Sequence, residues 1–200
     1  MDAIVGRELG GAGDRRGDGL ADVLDRAQSG DVQAFEELVA THERAVLRTA
    51  RALLGNREDA LDAAQEVFLR VFRHLGRFDR RREFSPWLYR VAVNVCRDIH
   101  RRRARIPTAP LDALDPALLA TPGDQEASAD ARERQRAVRR ALALLSDRER
   151  EAVVLRDVEG LSTAEVARAL GCLEVTVRSH LSRGRLKLQA ALAGPEGEGA

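Results

Sequence analysis

The chain is patterned for amphipathic helices along most of its length. Apolar residues return at three- and four-residue intervals in Ala34, Phe35, Leu38 and Val39, then in Ala45, Val46, Ala50 and Leu53, and Gly55 with Asn56 closes that run. Over residues 58–75, Leu61, Ala64, Phe68, Val71, Phe72 and Leu75 predict a core stripe, while Asp59, Asp62, Glu66 and Leu69 share another face. Glu58 and Asp59 in the first turn and Arg70, Arg73 and His74 in the last complement the helix dipole, and Gly76 ends the helix. Residues 77–83 are polar and read as a loop. Ser85 then predicts an N-cap with Pro86 in the first helical position, and Trp87, Leu88, Val91, Ala92 and Val95 line one side of a helix that stops at Pro107.

The C-terminal third repeats this logic in shorter pieces. Val138, Ala141, Leu142 and Leu145 form one stripe, and Ser146 with Glu149 matches a capping box for a helix carrying Ala152, Val153 and Leu155. Ser162 or Thr163 caps a short helix, Gly171 supplies a turn, and a last helix runs over about residues 174–191. Val166, Ala167 and Leu170 face Val177, Leu181 and Leu188, which predicts a helix-turn-helix. Arg178, Ser179, Ser182, Arg183 and Arg185 then point outward, as a helix that reads a major groove requires. A plain helical hairpin with a solvated basic face has the same pattern, so the hairpin alone does not decide.

No strand pattern and no internal repeat is visible, so the expected fold is all-α: two small helical domains joined by a flexible linker. The expected division is a disordered leader over 1–20, a first domain over 21–105, a linker over 106–131, a second domain over 132–193 and a flexible tail over 194–200. Pro107, Pro110, Pro116 and Pro122 mark the linker.

Charge sharpens this division. The net charge is only +1, yet residues 70–105 hold twelve Arg against Asp79, Glu83 and Asp98, a local +9, whereas residues 106–131 hold five acids and no basic residue. A basic block beside an acidic linker suits one segment that meets nucleic acid and one that avoids it. Apolar residues make up 44% of the chain but aromatics 4%, which leaves Leu, Val and Ala to build the cores and favours helices. Cys96 and Cys172 lack the spacing of a zinc site or a disulfide framework and read as small apolar residues. There is no secretory leader and no apolar run that spans a bilayer, so a cytoplasmic protein without membrane insertion is expected. His42, His74, His100 and His180 are scattered and no phosphate loop occurs. No enzyme activity, small-molecule substrate, cofactor or metal is expected.

The runs DALDAAQEVFLRVFRHL and FSPWLYRVAVNVCRDIHRRRAR resemble region 2 of the sigma-70 family, specifically its extracytoplasmic-function (ECF, group 4) sigma factors. LRDVEGLSTAEVARALG followed by TVRSHLSRGRLKL resembles region 4, in the matching order and separation, so the resemblance covers roughly residues 25–190. It implies an alternative sigma factor that binds core RNA polymerase and directs initiation at selected promoters. Asp59, Asp62, Gln65, Glu66 and Leu69 match the polymerase-docking segment. Arg80, Phe84, Trp87, Asn94, Arg97, Asp98, Arg101 and Arg102 match the element that reads the −10 region as single strand, although aromatic residues such as Phe84 and Trp87 are more often core residues. Thr176, Arg178, Ser179, Ser182, Arg183 and Arg185 match the reader of duplex −35 DNA. His180, Leu173 and Val175 depart from the family's usual Arg, Pro and Gly, so no promoter sequence carries over. The resemblance also implies an anti-sigma factor as partner. Two other readings stay open on the sequence: a stand-alone helix-turn-helix regulator, and a helical interaction protein without promoter specificity.

Overall fold

The computed structural model describes residues 13–105 and 129–193, and every regular element among them is helical. The order is α1 (Gly13–Gln28), α2 (Val32–Leu54), α3 (Arg57–His74), α4 (Phe84–Arg105), α5 (Ala129–Ala143), α6 (Asp147–Val153), α7 (Thr163–Leu170) and α8 (Glu174–Leu192). A short 3-10 turn (Leu75–Arg77) follows α3, and a π-helical turn (Val154–Val158) extends α6. The expected leader and linker lie mostly outside the described residues, and the tail lies wholly outside them. One boundary is corrected: α1 starts at Gly13, inside the stretch read as leader. Once Leu20, Val23 and Leu24 pack against the core, adding turns to an existing helix costs little even without apolar periodicity.

In the N-terminal unit, α1, α2, α3 and α4 form a bundle. Asp31 caps α2 through the Gln33 and Ala34 amides at 2.9 and 3.1 Å, and Gly55 ends it in a left-handed conformation at φ +79°. The Gln28 side chain donates to the Leu75 and Phe78 carbonyls at 2.8 and 2.9 Å, which ties α1 to the turn after α3.

The core stripe of α3 differs in phase from the sequence expectation. Ala60, Ala63, Val67 and Val71 are buried, Ala64 and Phe68 are half-buried, and Leu61 and Phe72 are exposed. Helices α2 and α4 close on α3 from two sides, so its small residues occupy the tightest contact and its bulky ones lie at the margins. Helix α4 is buried on two faces rather than one. Val93, Cys96 and Tyr89 are inside along with Leu88, Ala92 and Val95, because α7 covers the side that α2 and α3 leave open. It also begins at Phe84, so Ser85 lies inside the first turn instead of capping it.

In the C-terminal unit, Ser146 and Ser162 each close a full capping box, with Glu149 and Glu165. Gly171, at φ +67°, makes the turn into α8. Helix α8 lies against α6 at Gly184, where an added Cβ would meet Val153 Cγ2 at 2.9 Å. This close approach fixes the axis of α8 and therefore the direction of its outer face.

Candidate polymerase and nucleic-acid interfaces

Three surfaces gather the residues singled out by sequence. The first is the outer face of α3. Asp62 and Gln65 are exposed, Leu69 is 50% exposed, and Leu61 and Phe72 widen the apolar area beside them. Glu66 is held by Arg70 at 2.7 Å, and that hydrogen bond keeps its carboxyl below the usual range. Asp59 is set apart: it is nearly buried, accepts from Asn56 Nδ2 at 2.7 Å and pairs with Arg103 at 2.6 Å. In this conformation it secures the start of α3 to the end of α4.

The second surface runs along α4 and the loop before it. Phe84 is 4% exposed, in edge-on contact with Phe78 and His42, and half-buried Trp87 tilts against Phe78 and Phe84 with centroids 4.9 and 5.6 Å away. Packing therefore accounts for Phe84 and for part of Trp87. Asn94, Arg101 and Arg102 are exposed, while Asp98 bridges Arg70 and Arg101. Arg80 pairs with Asp25 of α1.

The third surface is the outer face of α8. Arg178, Ser179, Ser182, Arg183 and Arg185 are all exposed, and Thr176 is half-buried. Arg178 pairs with Glu174 at 3.0 Å, Ser179 Oγ donates to the Val175 carbonyl at 3.1 Å, and Arg185 pairs with Asp157 at 2.5 Å. Exposed pairs of this kind are worth little and exchange readily for phosphate or base contacts.

A polar seam joins the two units. The Glu159 carboxylate, 1% exposed, receives Arg48 at 2.5 and 3.0 Å, Thr49 Oγ1 at 2.8 Å and the Tyr89 hydroxyl at 3.0 Å. Burial, with this carboxylate beside it, pushes the Tyr89 phenol well above its ordinary range. Arg97 of α4 makes a fork onto Glu151 of α6 at 2.5 and 2.6 Å. Arg150 donates to the Leu142, Ala143 and Leu145 carbonyls of its own unit and to Leu53 of the other. Arg168 of α7 pairs with Glu83 of the loop before α4.

The family model of sigma-70 region 2 matches residues 38–106, and that of sigma-70 region 4 matches residues 135–188. The ECF RNA polymerase sigma factor SigM of Mycobacterium tuberculosis is 38% identical over 182 residues, covering 91% of this chain and 89% of its own. SigW of Bacillus subtilis, also named an ECF sigma factor, is 29% identical over 178 residues, 84% of this chain and 94% of its own. Among solved structures, CnrH in complex with the cytosolic domain of CnrY superposes with a TM-score of 0.68 at 28% identity, covering 88% of this chain and 98% of that one. The sigma factor RpoE of Bartonella quintana, solved with the anti-sigma factor NepR, gives 0.65 at 25% identity over 82% of this chain and all of the other. The chain is an ECF sigma factor of the sigma-70 family.

As a sigma factor it directs transcription initiation, and the match across both halves disfavours a stand-alone regulator that uses α7 and α8 alone. The helical fold expected from sequence is the fold observed. Cys96 is buried as expected, and burial pushes its thiol up to about 12. No helix among the described residues is long and apolar enough to cross a membrane.

Sequence reading missed the seam residues of this sigma factor: Tyr89 as a hydrogen-bond donor, and Glu151 and Glu159 as acceptors. A signal existed for Glu151, since it precedes buried Val154 and Leu155 by three and four residues and so shares their inward phase. A carboxylate in that phase needs a partner. Glu159 carried the same sign, four residues after buried Leu155.

Proposed function

We propose that this sigma factor docks on core RNA polymerase through the outer face of α3, reads the −10 element as melted single strand along α4, and reads the −35 element as duplex with α8. In this division residues 21–105 form the polymerase and −10 unit and residues 132–193 the −35 unit. The observation that carries the reading is the outer stripe of α8. Arg178, Ser179, Ser182 and Arg183 lie together in solvent on a helix whose opposite side, Val177 and Leu181, is buried against its own unit. Forked donors and short hydroxyls on an exposed recognition helix suit base edges and phosphates.

Two features support the other assignments. Asp62, Gln65, Glu66 and Leu69 combine charge with an apolar anchor, as a separable protein interface does. The arginines at the end of α4 offer a track for a single-stranded backbone. Arg97 reaches that track only when its fork onto Glu151 opens. An anti-sigma factor is a fitting partner, as RpoE was solved with one. The protein works in the cytoplasm beside polymerase and contributes no catalytic group of its own.

The test is run-off transcription from genomic fragments with core polymerase, with and without the protein. Promoter-specific transcripts that require the protein are expected, and their absence with a folded, monomeric protein refutes the proposal. Asp62→Arg should weaken binding to core polymerase while leaving the melting temperature unchanged. In the assembled holoenzyme, Arg178→Ala should cost about 1–3 kcal/mol of duplex −35 binding if that guanidinium reads a base.

A further inference from the structure

The recognition helix begins with two apolar side chains that nothing among the described residues covers. Leu173, the residue preceding α8, is 72% exposed, and Val175 in its first turn is 61% exposed. Neither is explained by folding. The contact that commonly clamps a helix start joins the residue before the cap to the fourth helical residue, which here are Cys172 and Val177. Leu173 occupies the cap position itself and makes no side-chain cap, whereas Ser146 and Ser162 both cap fully in the same unit. The tip of α8 therefore lacks both a side-chain cap and a polar surface.

Val175 is continuous with the polar face of the recognition helix. It lies three and four residues before Arg178 and Ser179, and the Ser179 hydroxyl bonds its carbonyl at 3.1 Å. Leu186, also exposed, sits eleven residues further along, about 16 Å from Val175 by helix rise, beyond the end that enters a groove. In a major groove the apolar feature offered by a base pair is the thymine 5-methyl group.

We propose that Val175 and Leu173 are specificity-determining residues that select thymine in the −35 duplex by packing on its methyl group. The inference rests on α8 being the −35 reader. Since Val175 and Arg178 are separated by one helical turn, the selected thymine lies one or two base pairs from the base Arg178 reads.

The experiment uses holoenzyme assembled from the full chain and core RNA polymerase, offered a randomised duplex library, followed by competition binding with the selected duplex. Thymine enrichment in the −35 element is expected. Replacing each such thymine by uracil, which removes the methyl and leaves pairing intact, should weaken binding about fourfold per buried methyl. Val175→Ala should abolish the thymine–uracil difference at one position while keeping the preference set by Arg178. Leu173→Ser should lose discrimination yet raise the melting temperature by about 2–4 °C, because serine supplies the missing cap. A merely structural role for Leu173 predicts the opposite stability change. Enrichment without thymine–uracil discrimination, or a fourfold difference retained in Val175→Ala, overturns this inference and leaves the sigma reading standing. Enrichment no better than that of core polymerase alone overturns both.

Discussion

Gly184→Ala sets two well-characterised effects against each other, and the geometry decides between them. Replacing glycine by alanine within a helix normally gains about 1 kcal/mol. Here the new methyl would sit 2.9 Å from Val153 Cγ2, with Glu149 Cβ at 3.5 Å and the Glu149 carbonyl oxygen at 3.6 Å. Val153 is 3% exposed, and its branched side chain has one strongly preferred rotamer in a helix, so it cannot swing aside. Helix α8 must instead lift from α6 by several tenths of an ångström, which loosens a packed interface and costs about 2–3 kcal/mol. The expected net change is a loss of about 1–2 kcal/mol, measured by urea unfolding of the full chain. A double-mutant cycle probes the same contact from both sides. Val153→Ala alone should cost about 2 kcal/mol, and in the Gly184→Ala background the added methyl refills part of that space, so the double variant should be at least 1 kcal/mol more stable than additivity predicts. A Gly184→Ala protein more stable than the parent, with additive double-variant behaviour, would refute the close approach of the two helices.

Acid should weaken the same region. A hydrogen bond from Lys187 and one from the Ser146 amide hold the Glu149 carboxyl at about 2. A depressed carboxyl pKa stabilises the fold above the unfolded value near 4.5, and the contribution fades as pH falls from there toward 2. With Lys187 half exposed the effect is discounted to about 1–2 kcal/mol. Glu149→Gln should therefore be less stable than the parent at pH 7 and approach it near pH 2, whereas a constant difference across that range contradicts the assignment. At the seam, Glu159→Gln keeps the shape but removes the charge facing Arg48, with an expected cost of about 1–2 kcal/mol because Arg48 is half exposed. Combined with Glu151→Gln, it should raise the radius of gyration measured by small-angle X-ray scattering; unchanged scattering would show that apolar contacts alone hold the units together.

Elements governed by near neighbours were legible in the sequence. The box of Ser146 with Glu149, the turn at Gly171 and the span of α8 follow from caps, glycine and period, all encoded within a few residues. Apart from the Ser85 cap, a local signal displaced because α4 begins at Phe84, what failed depended on partners distant in sequence. The stripe of α3 was read from its largest apolar residues, but α2 and α4 converge on Ala60 and Ala63 and leave Leu61 and Phe72 outside. Tyr89 and Val93 were missed because α7, some seventy residues onward, supplies their cover. The outward set on α8 was found because it needs only one helix. The pairing of Arg97 with Glu151 was not, because each residue is satisfied by the other unit.

The π-helical turn Val154–Val158 gives the seam an unusual origin. Its wider winding is recorded in the Glu159 amide, which donates to the Val154 carbonyl five residues back at 3.0 Å. One extra residue in a turn rotates everything after it by about 100° relative to ordinary helical winding. In this winding Glu159 follows Val154 onto the buried face and meets Arg48, Thr49 and Tyr89. Shortening the chain by a single residue there would change the phase of the carboxylate against Arg48, Thr49 and Tyr89 while the capping boxes, the Gly171 turn and the α6–α8 contact keep their local sequences. Loss or gain of one codon is thus a route by which descendants of this protein could separate the coupling of the two halves from the folding of either.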